Sequence, residues 1–385
     1  MNSKEWSTFT LRDISKSIAY GYTASAKYEP VGPKFLRITD IVGGLNWATV
    51  PYCEIASNDY DKYKLEVGDI VIARTGATTG TTEIIKEDKQ AVFASYLIRF
   101  RIDETIADPF FIGHVLKSDS WKEFIKSSIG GSAQPGANAN VLSQFEILLP
   151  PLPTQHRIAE ILSALDDKIE LNRLINVTLE AIAQAIFKEW FVDFHFPGAT
   201  GEMIESELGL IPKGWRVGTV DDVVRRIPSG KKFDFKSSLS SGVVPILDQS
   251  HFKIIGYHNE EPGVIASTEF PVIVFSNHRC YTDIIQYSFS AIQNVLPFIG
   301  HNVDTRWLYY ATDGIITYSE YKGHWPDFIS KPLIIPPKYL TNAFGELTKP
   351  ALIKTMENQI ESQILMAIRD SLLPILMSGD IRIIE

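Results

Sequence analysis

A long-period internal repeat constrains this 385-residue chain more than any single motif does. Leu148-Leu149-Pro150-Pro151 returns 186 residues later as Ile334-Ile335-Pro336-Pro337. Without a gap, Asn172, Leu179, Ala181, Ile182 and Ile186 return as Asn358, Leu365, Ala367, Ile368 and Leu372. Upstream of each stretch, Trp6, Asp13, Ile14, Ile18 and Gly21 match Trp215, Asp222, Val223, Ile227 and Gly230 at an offset of 209. Two copies of "globule, then long helix" imply a pseudo-two-fold molecule with two similar working surfaces. That plan suits reading two places on one extended ligand better than it suits a single catalytic pocket.

The length exceeds the size at which one hydrophobic core usually keeps growing, so two or more domains are expected. A 45% hydrophobic and 11% aromatic content supplies ordinary cores. No apolar run approaches the ~18 residues of a membrane span. Met1-Asn2-Ser3-Lys4-Glu5-Trp6 lacks the apolar region of a secretory signal, so a cytoplasmic protein is expected. Cys53 and Cys280 lie far apart with no Cys-x-x-Cys spacing and read as free thiols. The net charge of −9 argues against nucleic acid, because phosphate binding needs cations to displace counterions. The sum hides a division, however. Acids crowd the helical stretches and the segment after them (Glu160, Asp166, Glu180, Glu202, Glu205), whereas Arg225, Arg226, Lys231, Lys232 and Lys236 cluster in a globule.

Residues 1–152 read as a mixed α/β (α+β) globule. Phe35 to Ile38, Asp69 to Ala73, Ala91 to Arg101 and Phe145 to Leu149 are strand-like. Asp108-Pro109 opens a helix through Lys117, with a capping carboxylate and proline at the first helical position. From residue 153 to 195 the period becomes helical. Ile158, Leu165, Asn172, Leu179 and Ile186 fall at heptad position a, with Ile161, Ile175 and Ile182 at d. Residues 196–337 read as an acidic linker followed by the second globule, and residues 338–385 as the second helix. There Phe344, Ala351, Asn358, Leu365 and Leu372 take a, while Lys354 and Glu361 take d and Pro350 and Pro374 interrupt the pattern. Two long helices in one chain most simply pair antiparallel, with Asn172 and Asn358 as polar a residues that set the register. A solvated Asn at the seam edge is the alternative.

Leu149-Pro150-Pro151-Leu152-Pro153-Thr154-Gln155-His156-Arg157-Ile158-Ala159, with the heptads and Phe187-x-x-Trp190-Phe191-x-Asp193-Phe194 behind it, resembles the central region of type I restriction-modification specificity (S) subunits. Leu208-Gly209-Leu210-Ile211-Pro212-Lys213-Gly214-Trp215 resembles the entry to their second target-recognition domain. Gly68-Asp69-Ile70-Val71-Ile72-Ala73-Arg74-Thr75-Gly76 resembles a strand and loop of their first. The likeness implies two target-recognition domains, each reading one half of a bipartite, asymmetric site on double-stranded DNA. It implies paired helices that set the spacer and dock two methyltransferase (M) subunits, joined by two restriction (R) subunits where these accompany the complex. A helix of 35 to 40 residues would be roughly 55 Å long, compatible with two major-groove contacts roughly 34 Å apart. S-adenosylmethionine would sit on the methyltransferase subunits, and ATP and magnesium on restriction subunits, leaving no cofactor on this chain. The second helix departs from the pattern: Pro336-Pro337-Lys338-Tyr339-Leu340-Thr341 lacks the Gln-x-x-Ile of the first.

Catalytic signatures are missing. Asp108-Pro109-Phe110-Phe111 lacks the second proline of an adenine-methyltransferase motif, and Gly76-Ala77-Thr78-Thr79-Gly80 lacks the lysine of a phosphate-binding loop. The eight histidines show no metal-ligand spacing. DNA contacts are therefore expected from loops. In the first globule these are Arg74, Thr75, Thr78 and Thr79 after a strand, with Gln134, Asn138 and Asn140 as readers of adenine edges or holders of phosphate. In the second, Lys231, Lys232 and Lys236 read as phosphate contacts, and Asn277, His278, Arg279 and Tyr281 follow the strand Val272 to Phe275. Solvated polar loops are the plain alternative for each of these residues. Tyr257, Tyr287, Tyr309, Tyr310 and Trp325 read as core or rim. Three functions remain open here: a specificity subunit, a coiled-coil scaffold without sequence readout, and a self-contained methyltransferase or nuclease.

Overall fold

The structure is a computed structural model that describes residues 6–129, 136–251, 253–320 and 322–378. The chain divides into two compact units, Met1–Glu170 with Gln363–Glu385 and Leu171–Ser362, so each long helix contributes one part to each unit.

In the first unit, β1 (Ser7–Thr10), β2 (Ser15–Tyr20), β3 (Lys34–Leu36), β4 (Ile70–Ala73), β5 (Thr82–Ile84), β6 (Ala91–Phe93), β7 (Leu97–Ile102) and β8 (Glu146–Leu149) form three small sheets. The largest has the order β2-β7-β4-β5, and β3 pairs parallel with β6. Short helices α1 (Ile38–Ile41), α2 (Ser57–Tyr63), α3 (Pro109–Val115), α4 (Asp119–Ile129) and α5 (Ala139–Leu142) lie between them in sequence. The run Ala91 to Arg101 is two strands and not one, because a turn at Ala94 to Tyr96 separates the parallel β6 from the antiparallel β7. Ile14, Ile70, Phe100, Phe111 and Trp121 pack on Ile158 and Leu162 of the first long helix, α6 (Leu152–Phe187). Buried apolar area of this extent is the main stabilising term of such a unit.

The second unit repeats the plan. Its strands are β9 (Met203–Ser206), β10 (Gly209–Pro212), β11 (Arg216–Thr219), β12 (Val224–Arg226), β13 (Val244–Leu247), β14 (Ile254–His258), β15 (Val272–Ser276), β16 (Thr282–Ile285), β17 (Ser290–Ala291), β18 (Val295–Gly300) and β19 (Pro332–Ile335). Its helices are α7 (Thr305–Thr312), α8 (Trp325–Ile329) and the start of α9 (Lys338–Ser378). The sheet β12-β18-β15-β16 matches β2-β7-β4-β5. The repeat holds to the residue: Ser7 pairs with Leu149 and Arg216 with Ile335, at offsets of 209 and 186. Asp13 accepts the Thr10 N–H at 2.9 Å, and Asp222 accepts that of Thr219 at 2.7 Å. The expected linker is not bare chain. It carries the β9-β10 hairpin, turned at Glu207-Leu208 with Gly209 at a φ of +94° that favours glycine. β9 is short and largely exposed, and β10 buries only Ile211 and Pro212, which hides the hairpin from a hydrophobic pattern.

The helices pair antiparallel. In the second unit Asn172 meets Ser362 at 3.3 Å, Asn176 meets Asn358 at 2.8 Å, and Phe187 meets Phe344 at 5.8 Å between ring centres. In the first unit Arg369 donates to Asp166 at 2.8 Å. The seam, however, runs along heptad positions a and e instead of a and d. Leu162, Asn176 and Ala183 at e face inward, whereas Ile182 at d is 50% exposed. The same holds for Thr348, Thr355 and Ser362 of α9, which explains how Lys354 and Glu361 are tolerated at d. Each helix packs on a globule as well as on its partner, so its buried stripe is not that of a two-stranded coil. α9 runs unbroken through Pro350 and Pro374, although each proline removes one ladder donor. α6 ends at Phe187 in a wider turn, Lys188–Val192, that seats Phe191 against Trp215, Trp307 and Phe344.

Asn172 and Asn358 are both fully buried. Asn172 Nδ2 donates to Glu361 at 2.8 Å, and Asn358 Nδ2 donates to Asn176, while Asn358 Oδ1 has no partner among the described residues. An unpartnered buried acceptor costs about 1–3 kcal/mol. Replacing both asparagines by leucine is therefore expected to raise the thermal midpoint by several degrees and to give extra sets of seam methyl signals from alternative registers. A lowered midpoint with one sharp set of signals would refute the register role.

His114 of α3 is held between the globule and α6, with Nε2 3.2 Å from Ser163 Oγ and Nδ1 3.9 Å from Asp166. Burial pushes the imidazole down to about 4 against the pull of Asp166, and Lys117, Lys86 and Arg369 add to the depression. The neutral ring is native, and the unfolded ring protonates near ~6.5. Its contribution to stability is full above that value and is lost as pH falls toward 4. Chemical denaturation at stepped pH should show this loss between 6.5 and 4, with a shallower slope in His114→Gln.

Candidate nucleic-acid interface

Each unit places one seam of polar loops beside the strand that leaves the middle of its largest sheet. In the first unit the carboxylate of Asp69 is buried and held by both Arg101 Nε and Nη2 at 2.7 Å. It anchors the start of β4, all four residues of which are buried. Arg74 is the first residue to emerge. Its Nε donates to the Ser95 carbonyl at 3.0 Å, and its guanidinium lies 5.1 Å from the centre of the Tyr20 ring. The Tyr20 hydroxyl accepts the Ala139 N–H at 3.0 Å, at the start of α5. The Arg74 carbonyl accepts the Ala137 N–H at 2.9 Å, and Thr75 bridges to Gly136. The structure thus joins the two loops expected to contact DNA, Arg74 to Thr79 and the segment around Asn138 and Asn140.

Within this seam the roles divide. Asn138 caps α5 by accepting the Val141 N–H at 3.0 Å, and Asn140 accepts from Arg12 at 2.9 Å. Thr79 Oγ1 donates to the Gly76 carbonyl at 2.7 Å, and Thr78 closes the tight turn Gly76–Thr78. Behind that turn lies a groove of about 700 Å³ lined by Thr79, Trp121, Ile125 and the stems of Lys117, Lys122 and Lys126. Gln134 lies outside the described residues. Sequence reasoning missed Arg12 and Tyr20, whose signal was only their nearness to the repeated Asp13 and Gly21.

The second unit builds the equivalent seam from the β15-β16 hairpin loop and the start of α8. Asn277, like Arg74 the first residue after its strand, accepts the Trp325 N–H on Oδ1 and the His324 N–H on its carbonyl, both at 2.9 Å. His278 Nδ1 lies 2.8 Å from the Lys322 carbonyl, and Tyr281 stacks on His251 at 4.0 Å. Arg279 is exposed, with no side-chain partner among the described residues. Cys280 beneath it and Cys53 in the first unit are both buried and unpaired. Trp325 belongs to the rim, as its sequence context suggested, and carries the Arg226 guanidinium 4.7 Å above its ring. Of the three lysines, Lys231 is paired with Glu260, Lys232 donates to Ser229, and Lys236 is exposed without a side-chain partner. Arg226 was legible only as part of a basic cluster.

A family profile described as a type I restriction modification DNA specificity domain matches residues 3–181. The chain is 28% identical over 430 aligned positions to the type I restriction enzyme MjaIX specificity subunit of Methanocaldococcus jannaschii, covering 99% of this chain and 95% of that one. Over almost its whole length the chain is thus similar to type I restriction-modification specificity subunits. A further relative, the HindI specificity subunit of Haemophilus influenzae, is 30% identical over 216 positions, 54% of this chain and 45% of its own length. The crystal structure of a type I S subunit from M. genitalium shares the fold, with a TM-score of 0.63 at 15% identity over 98% and 97% of the two chains.

The first copy of the S-subunit helix motif carries Gln155, and the second has Thr341 at the offset of 186. The two side chains do the same work. Gln155 Oε1 accepts the Asp108 N–H at 2.9 Å, and Thr341 Oγ1 accepts the Asp304 N–H at 3.1 Å. Asp108 and Asp304 in turn cap α3 and α7. The departure of the second motif is thus a change of residue with the hydrogen bond kept.

The division of roles is testable by substitution. Asn277→Ala leaves the Trp325 N–H without its acceptor and is expected to destabilise the second unit by about 1–3 kcal/mol. Arg279→Ala should stay within about 0.5 kcal/mol, as surface changes do. Denaturant titration separates them, and equal effects would remove the distinction between support and contact.

Proposed function

We propose that this chain selects the DNA sites of a type I restriction-modification complex. Each globule reads one half of a split site, and the helices dock the methyltransferase subunits. The observation that carries this reading is the recurrence of one seam in both units, in which a cation lies over an aromatic ring next to the loop that follows a central strand. Two equivalent surfaces of this kind fit two half-sites. Phosphate contacts come best from Lys236 and Arg279, whose charges are not neutralised among the described residues. Arg12, Thr75 and Thr78 border the first seam.

The helices support two methyltransferase partners. Leu171, Leu174 and Ile182 on α6 are about half exposed, as are Ile360, Ile364 and Ile368 on α9. Leu174 and Ile360, and again Ile182 and Ile368, are equivalent at the offset of 186. Exposed apolar stripes of this kind mark interaction sites. Two like stripes suit two copies of one partner, with the spacer between half-sites set by the helices. Methyl transfer then belongs to those partners, which carry S-adenosylmethionine. Where restriction subunits accompany the complex, they join with their ATP and magnesium through the same assembly, in the cytoplasm. Among the described residues no helix is long and apolar enough to cross a membrane, and no three His, Cys, Asp or Glu side chains are grouped to hold a metal.

Single-molecule methylation mapping of cells carrying this chain with its methyltransferase tests the reading. Methyladenine confined to one split motif, and abolished by deleting this chain alone, is expected. Methylation that survives the deletion would favour a scaffold without sequence readout.

A further inference from the structure

We infer that Arg74 and Arg226 each read a guanine, one in each half of the split site, and that the ring beneath each arginine is a positioning device for that contact. This rests on the DNA-reading function proposed above.

The two arginines differ in origin but share one construction. Arg74 follows β4, whereas Arg226 ends β12, the counterpart of β2. In the first unit the ring comes from Tyr20 at the end of β2, and in the second from Trp325 at the start of α8. Between the copies the arginine has therefore moved to a different strand and the aromatic from a strand to a short helix, while the pair has been kept. Each ring is itself tied down at the same short helix. Tyr20 accepts the N–H of Ala139, and the N–H of Trp325, its equivalent at the offset of 186, goes to Asn277. Trp325 is also wedged among Phe275, Phe298 and Phe328 with ring centres 5.4 to 5.8 Å away.

Among the described residues neither guanidinium meets a carboxylate. Among the described residues Arg74 uses only Nε, toward Ser95, and its two terminal nitrogens have no acceptor. Arg226 has none for any of its side-chain N–H groups. Arg37, Arg101 and Arg369, partly buried like Arg74, behave differently and are neutralised by Asp40, Asp69 and Asp166 respectively. An arginine held over a ring with a free fork has lost most of its freedom before binding, so little more is lost when it binds. That economy matters for directional contact with the O6 and N7 acceptors of guanine in the major groove. A phosphate, by contrast, is served by a flexible point charge such as Lys236 or the unsupported Arg279.

The test uses the chain co-expressed with its methyltransferase subunits, comparing wild type, Arg74→Lys and Arg226→Lys by single-molecule methylation mapping. Lysine keeps the charge but lacks the two-pronged fork. The wild-type motif should contain a G·C pair in each half. Each lysine variant should relax one such pair, in different halves, with discrimination falling about 5- to 150-fold. Tyr20→Leu, which leaves Arg74 in place, should relax the same pair as Arg74→Lys to a smaller extent. A lysine variant that keeps the full motif, or one that lowers methylation of all sites alike, would overturn the inference and make the contact one with phosphate. A half-site without a G·C pair would overturn it for that arginine. A wild-type chain that gives no split motif would instead bring down the function proposed above, and this inference with it.

Discussion

Each globule is tied to a long helix through the amide of a helix-capping aspartate. The carboxylates of Asp108 and Asp304 close the first turns of α3 and α7, so their own N–H groups need an acceptor from elsewhere. Gln155 and Thr341 supply it, and both side chains are buried. A buried donor without a partner is among the costlier defects a fold can carry, so this one bond restricts how each globule can sit on its helix. The sheet, the central strand and the loop that follows it are all placed relative to that contact. In the first unit Arg369, Asp166, Ser163 and His114 extend the same polar junction across both helices.

A second polar layer lies where the sequence repeat folds back on itself. Asn172 reaches Ser362 and Asn358 reaches Asn176, which is one contact written twice under exchange of the helices. The exchange is imperfect, because the acceptor is a hydroxyl on one side and a carboxamide on the other, and because Glu361 intrudes only beside Asn172. A symmetric apolar seam would accept a shift of a whole heptad at small cost. The asparagines penalise such a shift, since a displaced polar group would face leucine.

How much of this was legible in the chain depends on distance along it. The repeat, the helix capped by Asp108, the antiparallel pairing and the buried asparagines follow from patterns local in sequence or copied at a fixed offset. The loop positions of Arg74 and Asn277 were also legible, because an apolar strand ends there in both copies. Their different duties were not. Asn277 serves Trp325 from 48 residues away, and Arg74 is oriented by Tyr20 and Ser95, contacts that only the folded sheet creates. The heptad assignment failed at Ile182 for a related reason. A strict a/d pattern presumes one neighbour, whereas these helices have two, and burial follows the sum of both. The β9-β10 hairpin escaped notice because its four-residue strands, of which only Ile211 and Pro212 are buried, bury too little to leave a pattern.

The pairing of β1 with β8, and of β11 with β19, has a consequence for how such chains change over time. In each copy the strand that enters the globule lies hydrogen-bonded beside the strand that leaves it, Ser7 against Leu149 and Arg216 against Ile335. Everything between those strands forms a closed cassette whose two ends are neighbours, and the helix begins only a few residues beyond. A genetic crossover at the two strands would replace the whole cassette, reading loops and capping aspartate included, while Gln155 or Thr341 on the helix and the asparagine layer stay in place for the newcomer. Specificity on this architecture can be inherited in interchangeable halves.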